Sequence, residues 1–283
     1  MPNPGSFLPS RDAFAFTNAW PSEPAVKVPT PFGDIGIGNA AAGLCGGMVF
    51  AALDYQHAAA VPPATRPAPG QPLYRYIVRR LIDSWHLPVG VAEYYQWMNM
   101  PQGDTGIELF GRHVVIQRGA AWHTIETQWP QIAAGLDTGT PAALGLVTVA
   151  SANPAELGHN HQALAYRYEA SPSQITVWVY DPNSGRDDGI YIRFDPRTPT
   201  GPTTFTHNLN IARPLRGFFR TAYAPATPPR SVGLRRSGGG FMCGRPRLAA
   251  DTAAGKTGTR VATASAMVGC TGREPAGKDR WRG

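Results

Sequence analysis

A change of period at Pro141 constrains this chain more than any other feature. Before it, apolar residues recur at helical spacing in four stretches, about 44–57, 73–85, 90–99 and 124–136. After it, apolar and polar residues alternate through PAALGLVTVA, HQALAYRYE, QITVWVYD, GIYIRFD, TTFTHN and PLRGFFRTAY, separated by Pro, Gly, Asn and Asp. Helices first and strands second argue against the alternation that builds a parallel sheet. They predict an α+β fold, with a helical part over about 36–136 packed on an antiparallel sheet over about 141–224.

Other stretches refine this outline. Residues 1–35 are Pro-rich and irregular, with Phe14, Phe16 and Trp20 available to pin them to a core. Segments 58–72 and 100–122 read as loops that would wall a cleft. Trp122, Ile125 and Trp129 share a helical spacing and read as core; Tyr94, Tyr95 and Trp97 read as packing or as the rim of a cleft. Asp187 and Asp188 follow a turn and read as solvated, while His113 and His123 have no partner that the sequence places.

Charge separates the C-terminal part from the rest. Residues 227–283 hold 11 Lys and Arg against 3 Asp and Glu, a charge of +8 beside a nearly neutral body, and are rich in Gly, Ala, Thr and Ser. This composition predicts a disordered basic tail after a single domain over 1–226. Nucleic acid would be met only through the tail, where Phe241 and Trp281 are too few for base stacking. No apolar run approaches the ~18 residues of a membrane span, and the N-terminus lacks the pattern of a secretory signal, so a cytoplasmic location is expected.

Of three cysteines, Cys243 and Cys270 lie in the tail, leaving Cys45 alone in the body. No Cys/His cluster has metal-ligand spacing, and no cofactor is called for. Cys45 stands in GLCGG at the start of the first helical stretch, where unpaired amides and the helix dipole favour an anion. Gly43, Gly46 and Gly47 clear space around it, either for another molecule's backbone or for tight internal packing.

A nucleophilic cysteine needs an imidazole and a group to orient it. A hairpin folded about Ser171 pairs positions whose numbers sum to 342, which sets His161 across from Asp181, Ala163 from Val179 and Ala165 from Val177. The face bearing His161 is then small and apolar, suited to packing on the Cys45 helix. His159 and Asn183 also sum to 342 and form an alternative pair. A shift of one residue would send His161 and Asp181 to opposite faces.

These pieces, GLCGG, NHQALAYRYE and VWVYDPN, resemble the papain-like cysteine peptidases, and more closely the bacterial branch that includes the double-glycine leader peptidases of bacteriocin exporters. The resemblance covers roughly 38–195, and the order Cys, His, Asp agrees with it. It implies a papain-like fold and a triad of Cys45, His161 and Asp181. Family members place a Gln six residues before the nucleophile to help stabilise the oxyanion, and Asn39 stands at that spacing here. Gly46 stands where papain has a bulky aromatic residue. The implied function is cysteine-dependent acyl transfer, with hydrolysis of a peptide or amide substrate first. An acyltransferase using the same thiol and a catalytically silent binding protein are the alternatives.

Overall fold

The computed structural model describes residues 7–20, 26–30, 33–37, 43–86 and 89–230. The expected tail beyond Arg230 and Asn39, the expected oxyanion donor, lie outside them. In chain order the elements are α1 (Pro9–Asp12), β1 (Val26–Thr30), β2 (Gly33–Ile37), α2 (Cys45–His57), α3 (Pro72–Ser84), α4 (Val89–Asn99), β3 (Thr105–Leu109), β4 (Arg112–Gln117) and α5 (Ala120–Trp122). A π-helical stretch, His123–Gln128, then leads into α6 (Trp129–Asp137) and β5 (Ala142–Val147). After a 3₁₀ turn, Pro154–His159, come β6 (His161–Ser171), β7 (Gln174–Tyr180), β8 (Tyr191–Phe194), β9 (Thr206–His207) and β10 (Gly217–Arg220). The fold is α+β: six strands form one antiparallel sheet in the order β10-β5-β6-β7-β8-β9.

α2 is the central helix because its apolar residues run all round it, so Cys45 through Tyr55 are buried. Met48, Phe50 and Tyr55 share one core with Phe14, Trp20, Tyr74 and Ile77 and with Leu164, Tyr166 and Tyr180 of the sheet, the last two meeting the Phe7 ring. The opposite sheet face, with Leu144, Ala163, Ala165, Val177, Phe194 and Phe218, packs against Trp129 and Ile132 of α6. Phe14, Phe16 and Trp20 thus do pin the N-terminal segment, in a chain of tilted and edge-on rings that reaches Tyr55 and Tyr74.

Two elements depart from the sequence reading. Residues 100–122 are not a plain loop: β3 and β4 form a hairpin closed at Phe110 and Gly111, whose φ angles of 51° and 73° make the mirror-image turn that suits twisted strands. Trp122 is only half-buried, with the Arg118 guanidinium 4.9 Å from its ring centroid, whereas Ile125 and Trp129 belong to the core.

The β6–β7 register also differs from the expected one. The hairpin turns at Pro172 and Ser173, pairing Ser171 with Gln174 and Arg167 with Trp178. Left uninterrupted, that register would put His161 and Asp181 on opposite faces. A β-bulge at Tyr166 absorbs one residue, so Ala165 meets Val179 and Leu164 meets Tyr180. Ala163 and Ala165 turn away from α2. The helix brings its own small residues, with Gly46 facing Gln162 of β6, and volume at its interface comes from the large Leu164 and Tyr166 instead.

Candidate functional site

Cys45 is the first residue of α2 and is buried, with its sulfur free of any disulfide. Its amide is one of those at a helix start that no helical carbonyl reaches; the first α-helical bond runs from the Met48 N–H to the Leu44 carbonyl at 2.9 Å. The glycines around it serve internal packing. A Cβ on Gly46 would lie 2.5 Å from both Gln162 Oε1 and Ser84 Oγ, and one on Gly47 would lie 2.0 Å from the Ile77 carbonyl oxygen. Gly46 follows Cys45 and Gln162 follows His161, so the missing side chain lets the helix start approach the strand start.

His161 opens β6 and is buried, and its Nε2 lies 2.8 Å from Asp181 Oδ1. Asp181 follows β7 and is fully enclosed. Its Oδ1 also accepts from the Asn183 N–H at 2.9 Å, and its Oδ2 accepts from the Asn210 N–H at 2.9 Å and from Ser184 Oγ at 3.2 Å. With four donors on two oxygens, the carboxylate is held as an anion: burial opposes the charge, but the hydrogen bond and charge of His161 and the two backbone amides bring its pKa below the usual value.

The His161 imidazole is shifted the other way. Burial disfavours its charged form, yet the charge of Cys45, the hydrogen bond to Asp181, a hydrogen bond to Cys45 and the Asp181 charge together push its pKa up to about 10. Cys45 and His161 line one depression, which puts the sulfur and the ring at a common site. With Nε2 given to Asp181, Nδ1 is the nitrogen left for the sulfur.

The alternative histidine goes elsewhere. His159 Nδ1 lies 2.8 Å from Glu156 Oε2 and 3.3 Å from an Arg213 nitrogen, while Asn183 buttresses Asp181 and donates to the Asn210 carbonyl at 2.9 Å. Of the other unplaced histidines, His113 Nδ1 lies 3.0 Å from Glu108 Oε1 in the β3–β4 hairpin. Among the described residues no group of three or more His, Cys, Asp or Glu side chains is arranged to hold a metal ion, and no helix is long and apolar enough to cross a membrane.

Cys45 lies between two depressions. One is apolar, walled by Leu81, Trp85, Val91, Tyr94 and Leu157. The other is polar, lined by Asn18, Thr148, His161, Asn183, Asn210 and Arg213. Tyr94 is buried in the first, and its hydroxyl donates to the His161 carbonyl at 3.2 Å. Sequence reasoning left Tyr94 undecided between packing and cleft; it does both. It missed Asn18, Gln162 and Asn210 altogether, because each acts through a contact more than 25 residues away and none carries a local motif. No family model, curated protein or solved structure matches this chain.

Proposed function

We propose that this protein is a papain-like cysteine acyl-transfer enzyme that hydrolyses a peptide or amide bond. Cys45 Sγ, as the anion paired with the already protonated His161 ring, attacks the substrate carbonyl carbon, forming a tetrahedral oxyanion. The Cys45 amide donates to that oxyanion, with Asn39 as the expected second donor. As the intermediate collapses, the C–N bond breaks and the amine leaves with the proton from Nδ1, so the acyl group stays on sulfur. Water then attacks the thioester carbonyl, Nδ1 takes its proton, and sulfur leaves as the anion, so the ion pair is restored as the acid departs. Asp181 keeps the ring oriented and stabilises its charged form throughout.

The observation that carries this reading is the buried 2.8 Å contact between His161 Nε2 and Asp181 beside the only cysteine of the described residues. A lone buried cysteine needs no such partner.

The test uses the full chain with Cys243 and Cys270 replaced by Ser. Incubation with a mixture of peptides should generate new termini by mass spectrometry, and iodoacetamide at neutral pH should label Cys45. Both should vanish in Cys45→Ala, and His161→Ala should abolish cleavage. Labelling of a Cys45→Ala protein, or cleavage that survives the substitution, sinks the proposal.

A further inference from the structure

Asn18 belongs to the N-terminal segment, far in sequence from all three members of the proposed triad, yet it touches the supports of two of them. Its backbone N–H donates to the Pro182 carbonyl at 2.9 Å. Its Oδ1 accepts from the Leu44 N–H at 2.9 Å, immediately before Cys45. Its Nδ2 donates to Asn183 Oδ1 at 3.1 Å, and Asn183 in turn donates its own N–H to Asp181. Gly43 makes the room for this arrangement, since a Cβ there would lie 2.4 Å from Asn18 Nδ2.

We propose that Asn18 is a positioning residue that fixes the Cys45 thiol against the Asp181-braced imidazole by tying the backbone before the nucleophile to the loop after Asp181. The inference rests on the reading that Cys45 and His161 act together. The position uses one acceptor and one donor at the end of the same short side chain, which Asn supplies and Asp, with acceptors only, does not. The Leu44 N–H demands an oxygen, which fixes the orientation of the amide. The anchor also acts where α2 has no other, because Leu44, its N-cap residue, offers no side-chain cap. One peptide unit separates the anchored amide from Cys45, so a rotation there swings the sulfur directly.

The experiment compares the chain carrying only Cys45 with its Asn18→Ala and Asn18→Asp variants. Three quantities are measured: the rate of Cys45 alkylation by iodoacetamide, the titration of the His161 ring by NMR, and the melting temperature. Asn18→Ala should slow alkylation about 10- to 100-fold, the range that a misplacement of about 1 Å costs. It should also move the His161 midpoint downward from about 10, as the sulfur leaves the ring while Asp181 stays. Asn18→Asp keeps the acceptor for Leu44 and should fall between parent and Ala. Alkylation within twofold of the parent and an unmoved His161 titration overturn the proposal. So does a rate loss that merely tracks the fraction unfolded. If His161→Ala alkylates as fast as the parent, the Cys–His partnership itself fails, whatever Asn18 does.

Discussion

At the scale of single residues, the site is a set of linked protonation states whose directions can be tested. The folded protein holds the His161 proton up to about pH 10, whereas an unfolded chain releases it near the ordinary histidine value of about 6.5. This contribution to stability is fully present below pH 6.5 and is lost as pH rises towards 10, with a slope of at most roughly 1.4 kcal/mol per pH unit for one proton. Asp181 has the opposite sense. Its pKa is depressed, so its contribution is present above the usual carboxylate value and is lost as pH falls through the folded value. Urea midpoints measured from pH 3 to 10 should therefore decline at both ends, and His161→Ala should flatten the alkaline decline. Asp181→Ala should lower the His161 midpoint in an NMR titration and cost about 3–5 kcal/mol, because it removes one partner of a buried charged pair. An unchanged His161 midpoint would show that the carboxylate does not brace the ring.

At the scale of elements, the approach of α2 to its neighbours is set by two glycines that face different obstacles. An Ala at 46 meets the ends of the Gln162 and Ser84 side chains, which can shift at a cost; an Ala at 47 meets the Ile77 carbonyl of α3, which cannot shift without moving the helix. Gly46→Ala should destabilise by about 1–3 kcal/mol and slow Cys45 alkylation, and adding Gln162→Ala should recover part of both. Gly47→Ala should cost more and should gain nothing from Gln162→Ala, as read by denaturant midpoints. Equal costs for the two would contradict this division. The same elements show what the sequence could tell. Helix period and strand alternation were legible because each is local. The glycines showed that something passes close, but not whether it is a ligand or the protein itself. The bulge at Tyr166 was invisible, since the Ser-Pro-Ser turn signal marks a hairpin without fixing its register, and Tyr166 is an ordinary strand residue. The β3–β4 hairpin was missed because Phe110 occupies a turn position where Asn or Asp is the usual signal.

At the scale of the whole molecule, the far end of α2 is clamped as firmly as its beginning. Asp54 is fully enclosed and faces Arg80 of α3, with Arg80 Nε 2.7 Å and Nη2 3.1 Å from its two oxygens. The same carboxylate accepts from Tyr76 Oη at 2.7 Å, Tyr223 Oη at 2.8 Å and the Ala226 N–H at 2.8 Å. Arg80 also donates to the Ala224 carbonyl at 2.8 Å, and the Tyr55 hydroxyl donates to the Pro229 carbonyl at 2.9 Å. One carboxylate thus joins the central helix, α3 and the segment after β10, and the described chain stays on the body through Arg230, four residues past the expected domain end. Burial and the neighbouring Asp54 push the Tyr76 and Tyr223 hydroxyls well above the ordinary tyrosine value, so both remain donors. Asp54→Ala leaves the buried Arg80 guanidinium only the partly exposed Asp83 at 2.8 Å as counter-charge and should cost about 3–5 kcal/mol. Asp54→Asn retains acceptor oxygen but no charge and should cost less. Because the clamp lies at the opposite end of a rigid helix from Cys45, molecules of Asp54→Asn that remain folded should alkylate at the parent rate. A large drop in that rate, with the melting temperature still well above the assay temperature, would mean that α2 passes strain from its C-terminus to the sulfur, and the helix could not then be treated as a fixed platform for the site.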